Sequence, residues 1–123
     1  MHFYKCLNCG DIAMKLGKGE ALLQCCDERM KKLVPGEVEG SFEKHIPIVT
    51  KEDHLLKVSV GEVEHPMSEE HSIEWIAVEC KDGFSIKYLN KDQKPEAFFY
   101  LNEEPISVYA YCNLHGLWKS KGN

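Results

Sequence analysis

Four histidines and a cysteine have the types and settings of metal ligands: His45 in EKHIP, His65 and His71 at the ends of HPMSEEH, and Cys112 and His115 in CNLHG. A thiolate and an imidazole three positions apart in a short polar loop can reach one ion, and taken alone the pair is compatible with copper, zinc or iron. The other three imidazoles bear on that choice. Structural zinc is satisfied by four donors, whereas Fe(II) accepts five and keeps a sixth position for a substrate. Pro47 and Pro66 stiffen the segments that would hold His45 and His65. For any one of these histidines the plain alternative is a loop side chain facing water; the combination argues for a site. A second donor set lies near the start: Cys6 and Cys9 in CLNC, then fifteen residues, then the adjacent pair Cys25 and Cys26. Two such pairs can close a tetrahedral four-sulfur site, and a disulfide between neighbouring cysteines forms only under strain.

The elements that must position these donors fall into two kinds. Residues 1–35 are too few to bury a self-sufficient core, so a metal would supply what packing lacks; the second cysteine pair is expected to arrive from a strand over 21–24. Val34, Pro35 and Gly36 read as a linker. Residues 36–123 turn to period-two alternation, with Leu56, Val58 and Val60 on one face of a strand over 54–60. Further strands are expected over 72–80 (Ile73, Trp75 and Ala77 against Glu74, Ile76 and Val78), 83–90 (Phe84, Ile86, Tyr88), 97–101 and 106–112. Polar turn residues separate them at the spacing of an antiparallel sandwich, and each candidate histidine lies at or beyond a strand end. The expected fold is mainly β: a small four-cysteine metal module followed by an immunoglobulin-like antiparallel β-sandwich. Trp75 and the run Phe98, Phe99, Tyr100 are expected in the core, Cys80 as a small core hydrophobe, and His2 and His54 in water.

Composition excludes several classes. The chain has 123 residues and a net charge of -5, and Arg29 is its sole arginine, so the footprint of a nucleic-acid binder is missing. Residues 1–35 carry six basic and four acidic side chains (+2), and residues 36–123 carry nine and sixteen (-7). The longest strongly apolar run is 97–101, too short to span a bilayer. MHFYKC shows neither the basic nor the apolar region of a signal peptide. The expectation is a cytoplasmic protein, where clustered cysteines are more often metal ligands than disulfides.

CLNC and the paired cysteines resemble a desulforedoxin module, and EKHIP, HPMSEEH and CNLHGLW resemble, in order, three loops of a desulfoferrodoxin, the two-iron form of superoxide reductase. The likeness covers nearly the whole chain. It implies an Fe(SCys)4 centre at Cys6, Cys9, Cys25 and Cys26, a site that zinc could also fill. It implies a second iron with His45, His65, His71 and His115 equatorial and Cys112 axial. By the same likeness Glu43 and Lys44 flank the open position, Glu43 occupying it in the ferric resting state and Lys44 drawing in the anion. The implied activity is one-electron reduction of superoxide to hydrogen peroxide, with a rubredoxin-like electron donor and a homodimer. Asp27 stands where the family usually has glycine after the cysteine pair; aspartate tolerates a left-handed backbone better than most residues.

Two non-catalytic readings compete. A cupredoxin-like electron carrier also has a β-sandwich and a late Cys-x2-His loop, but it wants a weak axial ligand such as methionine soon after the second histidine, where this chain runs Gly116, Leu117, Trp118. A zinc ribbon joined to a β-sandwich binding module accounts for the thiolates and leaves the histidines idle.

Overall fold

The computed structural model describes residues 1–122, which divide into two compact units, the first Met1–Val34 and the second from Pro35 onward. In the first unit, strands β1 (Phe3–Lys5), β2 (Ile12–Met14) and β5 (Lys31–Lys32) form an antiparallel sheet in the order β2-β1-β5. A separate hairpin joins β3 (Gln24–Cys25) to β4 (Glu28–Arg29). Buried apolar side chains in this unit are Phe3, Cys6 and Met30, a core far too small to hold a fold without help. Between β1 and β2 the cysteine turn closes on itself: the Gly10 amide donates to the Cys6 carbonyl at 2.8 Å, and Gly10 takes a φ of +82° that favours glycine. At the β3–β4 turn Cys26 and Asp27 have φ of 53° and 60°, the doubly left-handed pair of a type I′ hairpin, so Asp27 does adopt the conformation expected of it. The strand expected over 21–24 is displaced toward the cysteine. Lys15 Nζ donates to the carbonyls of Gly19 and Ala21 and holds that stretch as a loop.

The second unit contains one short helix, α1 (Phe42–His45), and strands β6 (Pro47–Glu52), β7 (Leu55–Val60), β8 (Ile73–Cys80), β9 (Gly83–Tyr88), β10 (Glu96–Tyr100), β11 (Pro105–Cys112) and β12 (Gly116–Lys121). They form two antiparallel sheets, β10-β7-β6 and β12-β11-β8-β9, the three-on-four arrangement of an immunoglobulin-like sandwich. Strands β6 and β12 carry no clean alternation and escape the sequence reading; they are recruited as partners of β7 and β11. The interior is built from Leu56, Val58 and Val60 on β7, Ala97 and Phe99 on β10, Ile76, Val78 and Cys80 on β8, and Val108, Ala110 and Cys112 on β11. Cys112 ends that inward row, so its thiol enters the site from the core side and is fully buried.

Two packing expectations are corrected. Strict alternation along β8 fails, because Tyr111 pairs with Trp75 but Cys112 pairs with Ile73. The extra residue is a β-bulge, which lets Ile73 and Ile76 both face the interior and re-aims the strand end beside Cys112. Trp75 is buried, but stacked on Tyr111 with centroids 5.5 Å apart instead of within the main cluster. The run at 98–100 is not uniformly core: Phe99 is buried, while its strand neighbours Phe98 and Tyr100 point to water, as pleating requires. On β9, Phe84 and Tyr88 are likewise exposed. Among the described residues no helix is long and apolar enough to cross a membrane.

Candidate metal centre

His45 closes α1, and its Nδ1 lies 2.7 Å from the Ser41 carbonyl oxygen. His65 follows β7, and its Nδ1 lies 2.6 Å from the Pro66 carbonyl oxygen. A carbonyl only accepts, so each Nδ1 carries the hydrogen and each neutral ring presents a bare Nε2 lone pair. Those two Nε2 atoms lie 3.1 Å apart, and His115 Nδ1 lies 3.1 Å from His45 Nε2. Two acceptor lone pairs at that distance repel unless a cation sits between them. His71 adds a buried Nε2 with no hydrogen-bond partner. The ligating atoms of His45, His65, His71, Cys112 and His115 all lie within 4.8 Å of one another. Converging bare donors, an orphaned buried nitrogen and a thiol fit a resident metal ion, and four imidazoles with one sulfur fit iron.

The local fold explains how these donors meet. After Cys112 the chain reverses through Asn113, Leu114 and His115 to Gly116, whose φ of +78° suits glycine and whose pairing with Cys112 starts β12. That tight turn brings the His115 amide to 3.4 Å from Cys112 Sγ. Trp118, on β12, stacks on the His45 ring with centroids 4.9 Å apart and donates from Nε1 to the His115 carbonyl at 3.0 Å. Its indole therefore walls the loop and braces two candidate ligands. Burial pushes the His65 imidazolium down to a pKa of about 4 and lowers those of His45 and His71 as well. The rings are held neutral, as ligation requires. Burial raises the Cys112 thiol, opposed by the amides of His115 and Leu114, so full ionisation there calls for a cation.

Glu43 and Lys44 are both exposed on α1. The Lys44 ammonium is close enough to disfavour protonation of His45 and His71, and it lines the same open hollow as His65. Glu43 lines a different hollow, with Phe42, Ile46, Ile48 and Glu62. Sequence reasoning assigned no role to three further positions. Ser68 Oγ accepts from the His71 amide at 3.1 Å and donates to its carbonyl at 3.2 Å, cinching the turn that presents His71. A Cβ at Gly40 would come within 3.2 Å of both His115 Cγ and His45 Cε1, and one at Gly61 within 2.7 Å of the Glu43 carbonyl. Their only outward sign was small size near ligand segments.

In the first unit the ligating sulfurs of Cys6, Cys9, Cys25 and Cys26 also lie within 4.8 Å of one another. Cys9 Sγ is 3.6 Å from Cys25 Sγ, and Cys25 Sγ is 3.8 Å from Cys26 Sγ. The Cys9 amide, 3.4 Å from Cys6 Sγ, brings that thiol down to about 7, while the crowd of sulfurs pushes Cys25 up to about 12. Four thiolates packed this tightly need a cation, and the tetrahedral sulfur set suits iron or zinc.

Residues 37–121 match the family model described as Desulfoferrodoxin. Desulfoferrodoxin of Nitratidesulfovibrio vulgaris is 44% identical over 119 residues, spanning 96% of this chain and 94% of the relative. The chain belongs to the desulfoferrodoxin family. Among solved structures, the superoxide reductase from Treponema pallidum superposes with a TM-score of 0.81 at 32% identity, covering 97% of this chain and 95% of that one. The superoxide reductase (1Fe-SOR) from Giardia intestinalis gives a TM-score of 0.54 at 27% identity, covering 63% of this chain and 95% of that one. For a desulfoferrodoxin the two donor clusters are the expected pair: a four-cysteine site and a His4Cys site, both suited to iron.

Proposed function

We propose that this desulfoferrodoxin is a superoxide reductase, which reduces superoxide by one electron to hydrogen peroxide in the domain of residues 36–123. His45, His65, His71, His115 and Cys112 hold the iron, and Cys6, Cys9, Cys25 and Cys26 hold a second metal in the module of residues 1–35. The convergence of five donors, with two bare Nε2 atoms 3.1 Å apart, carries the reading. It disfavours the copper alternative, which leaves His65 and His71 unused. Iron(II) held by these five residues would supply the one-electron reducing chemistry and a coordination position open to the anion.

The protein's own groups do the rest. Four neutral imidazoles add no charge, so the positive metal with one thiolate remains attractive to an anion despite the acidic surroundings. Lys44, whose charge is felt at His45 and His71, adds to that local potential and steers superoxide inward. The amides of Leu114 and His115 stabilise the Cys112 thiolate and temper its electron donation to the metal. The family likeness assigns Glu43 to assisting product departure, a role that requires its carboxylate to leave the separate hollow it lines and turn toward the metal site; solvent supplies the two protons of the peroxide. The electron donor in this reading is a rubredoxin-like protein, the assembly a homodimer and the location cytoplasmic. Rapid mixing of the reduced, iron-loaded protein with superoxide tests the activity: a transient ferric-thiolate absorption is expected. No transient, or equal reactivity in Cys112→Ala, would sink it.

A further inference from the structure

Asn113 sits between the two ligands of the CNLHG turn, yet its side chain points to neither. The Ser72 amide donates to Asn113 Oδ1 at 3.0 Å, and Asn113 Nδ2 donates to the Glu70 carbonyl at 2.9 Å. An amide hydrogen can only be donated and a carbonyl can only accept, so these partners fix the orientation of the carboxamide. A third bond runs from the Asn113 amide to the Ser72 carbonyl at 3.2 Å. The peptides immediately before and after His71 are thus both tied to the residue immediately after Cys112. These bonds lie just beyond the β-bulge in the β11–β8 ladder, where the side chain reinforces the backbone pairing of Asn113 with Ser72.

His71 needs such support more than its neighbours. His45 and His65 are anchored through Nδ1 to backbone carbonyls, the arrangement that normally orients a ligating imidazole. His71 is instead held through its own backbone, by Ser68 on one side and Asn113 on the other. We propose that Asn113 is a positioning residue: its carboxamide clamps the segment bearing His71 to the loop bearing Cys112 and His115, so that the two segments reach the metal in fixed register. This rests on the metal-site reading above and deepens it.

The test uses the iron-loaded full chain with Asn113→Ala and Asn113→Asp. Asp keeps the acceptor for the Ser72 amide and loses the donor to the Glu70 carbonyl. In Asn113→Ala, hydrogen exchange of the Ser72 amide should accelerate about tenfold, the equivalent of one lost hydrogen bond, with Val108 and Ala110 unchanged. Iron affinity, measured by competition with a chelator, should fall about 10- to 100-fold, as when groups orienting metal ligands are removed. The thiolate-to-iron absorption should shift as the loop loosens. Asn113→Asp should keep Ser72 protected and fall between wild type and Ala in affinity; it also serves if the Ala variant does not fold. Unchanged Ser72 exchange in the Ala variant, unchanged iron affinity, or an Asp variant that releases Ser72 as fully as Ala would overturn the proposal. Failure of the wild-type protein to reduce superoxide would remove the activity but leave both readouts on Asn113 intact.

Discussion

Acidifying the protein after iron has been removed should destabilise it through His65. In the folded chain this imidazole is 2% exposed and titrates at about 4, against 6.5 for a free histidine. A depressed histidine pKa means that the unfolded chain takes up a proton first as pH falls, so stability is lost across that interval. Between pH 6.5 and about 4 the unfolded state binds one more proton at this residue, and the slope is about 1.4 kcal/mol per pH unit. The total loss from His65 is therefore about 3 kcal/mol, complete once pH is below the folded value. His45 and His71 are lowered too and steepen the fall. Urea unfolding at a series of pH values, for wild type and His65→Gln, isolates the contribution. The stability difference between the two should change by about 3 kcal/mol from pH 7 to pH 4 in the direction that penalises wild type at low pH. A difference that stays flat with pH would refute the claim that burial holds this ring neutral. Iron binds the unprotonated ring, so reloading the site should move the loss to lower pH.

Other outcomes follow from individual contacts. Gly40→Ala places a methyl 3.2 Å from atoms of both His45 and His115, and should weaken iron retention against a chelator about tenfold or more while circular dichroism stays native. Trp118→Phe keeps an aromatic face against His45 but loses the Nε1 donor to the His115 carbonyl; chemical unfolding should show a loss of about 1–3 kcal/mol with a shifted thiolate-to-iron absorption. Asp27→Gly should leave stability within about 1 kcal/mol, whereas Asp27→Val, β-branched at a φ of 60°, should destabilise the hairpin and release metal from the four-cysteine site more readily.

The donors were legible because metal chemistry leaves a mark on composition: few structural needs other than a metal place CLNC, a cysteine pair and loop histidines in one short chain. Strand β7 was legible because its inward residues alternate with polar ones; β11, buried along nearly its whole length, was legible as a short run rich in β-branched and aromatic residues that follows a polar turn. Strands β6 and β12 were not, since a strand exists by virtue of its partner and neither PIVTKE nor GLWKSK carries a strict period of two. The bulge beside Cys112 was invisible for a related reason: it is a mismatch between two strands and belongs to neither sequence alone.

What the sequence determined by itself is the chemistry on offer, namely which side chains can bind metal, that they fall in two sets, and that the larger unit is a β-sandwich with its histidines outside the strands. Those facts reside in residue type and local period. The tertiary structure decided which atoms face which: His45 and His65 turn Nε2 toward the centre because backbone carbonyls claim Nδ1, while His115, in the tight turn before the left-handed Gly116, turns Nδ1. It also set Lys44 near His45 and His71 while Glu43 faces another hollow, and gave Asn113 its partners 41 and 43 residues away. Such relations depend on distance across the fold, which hydrogen bonding and packing set together and no local window of sequence contains.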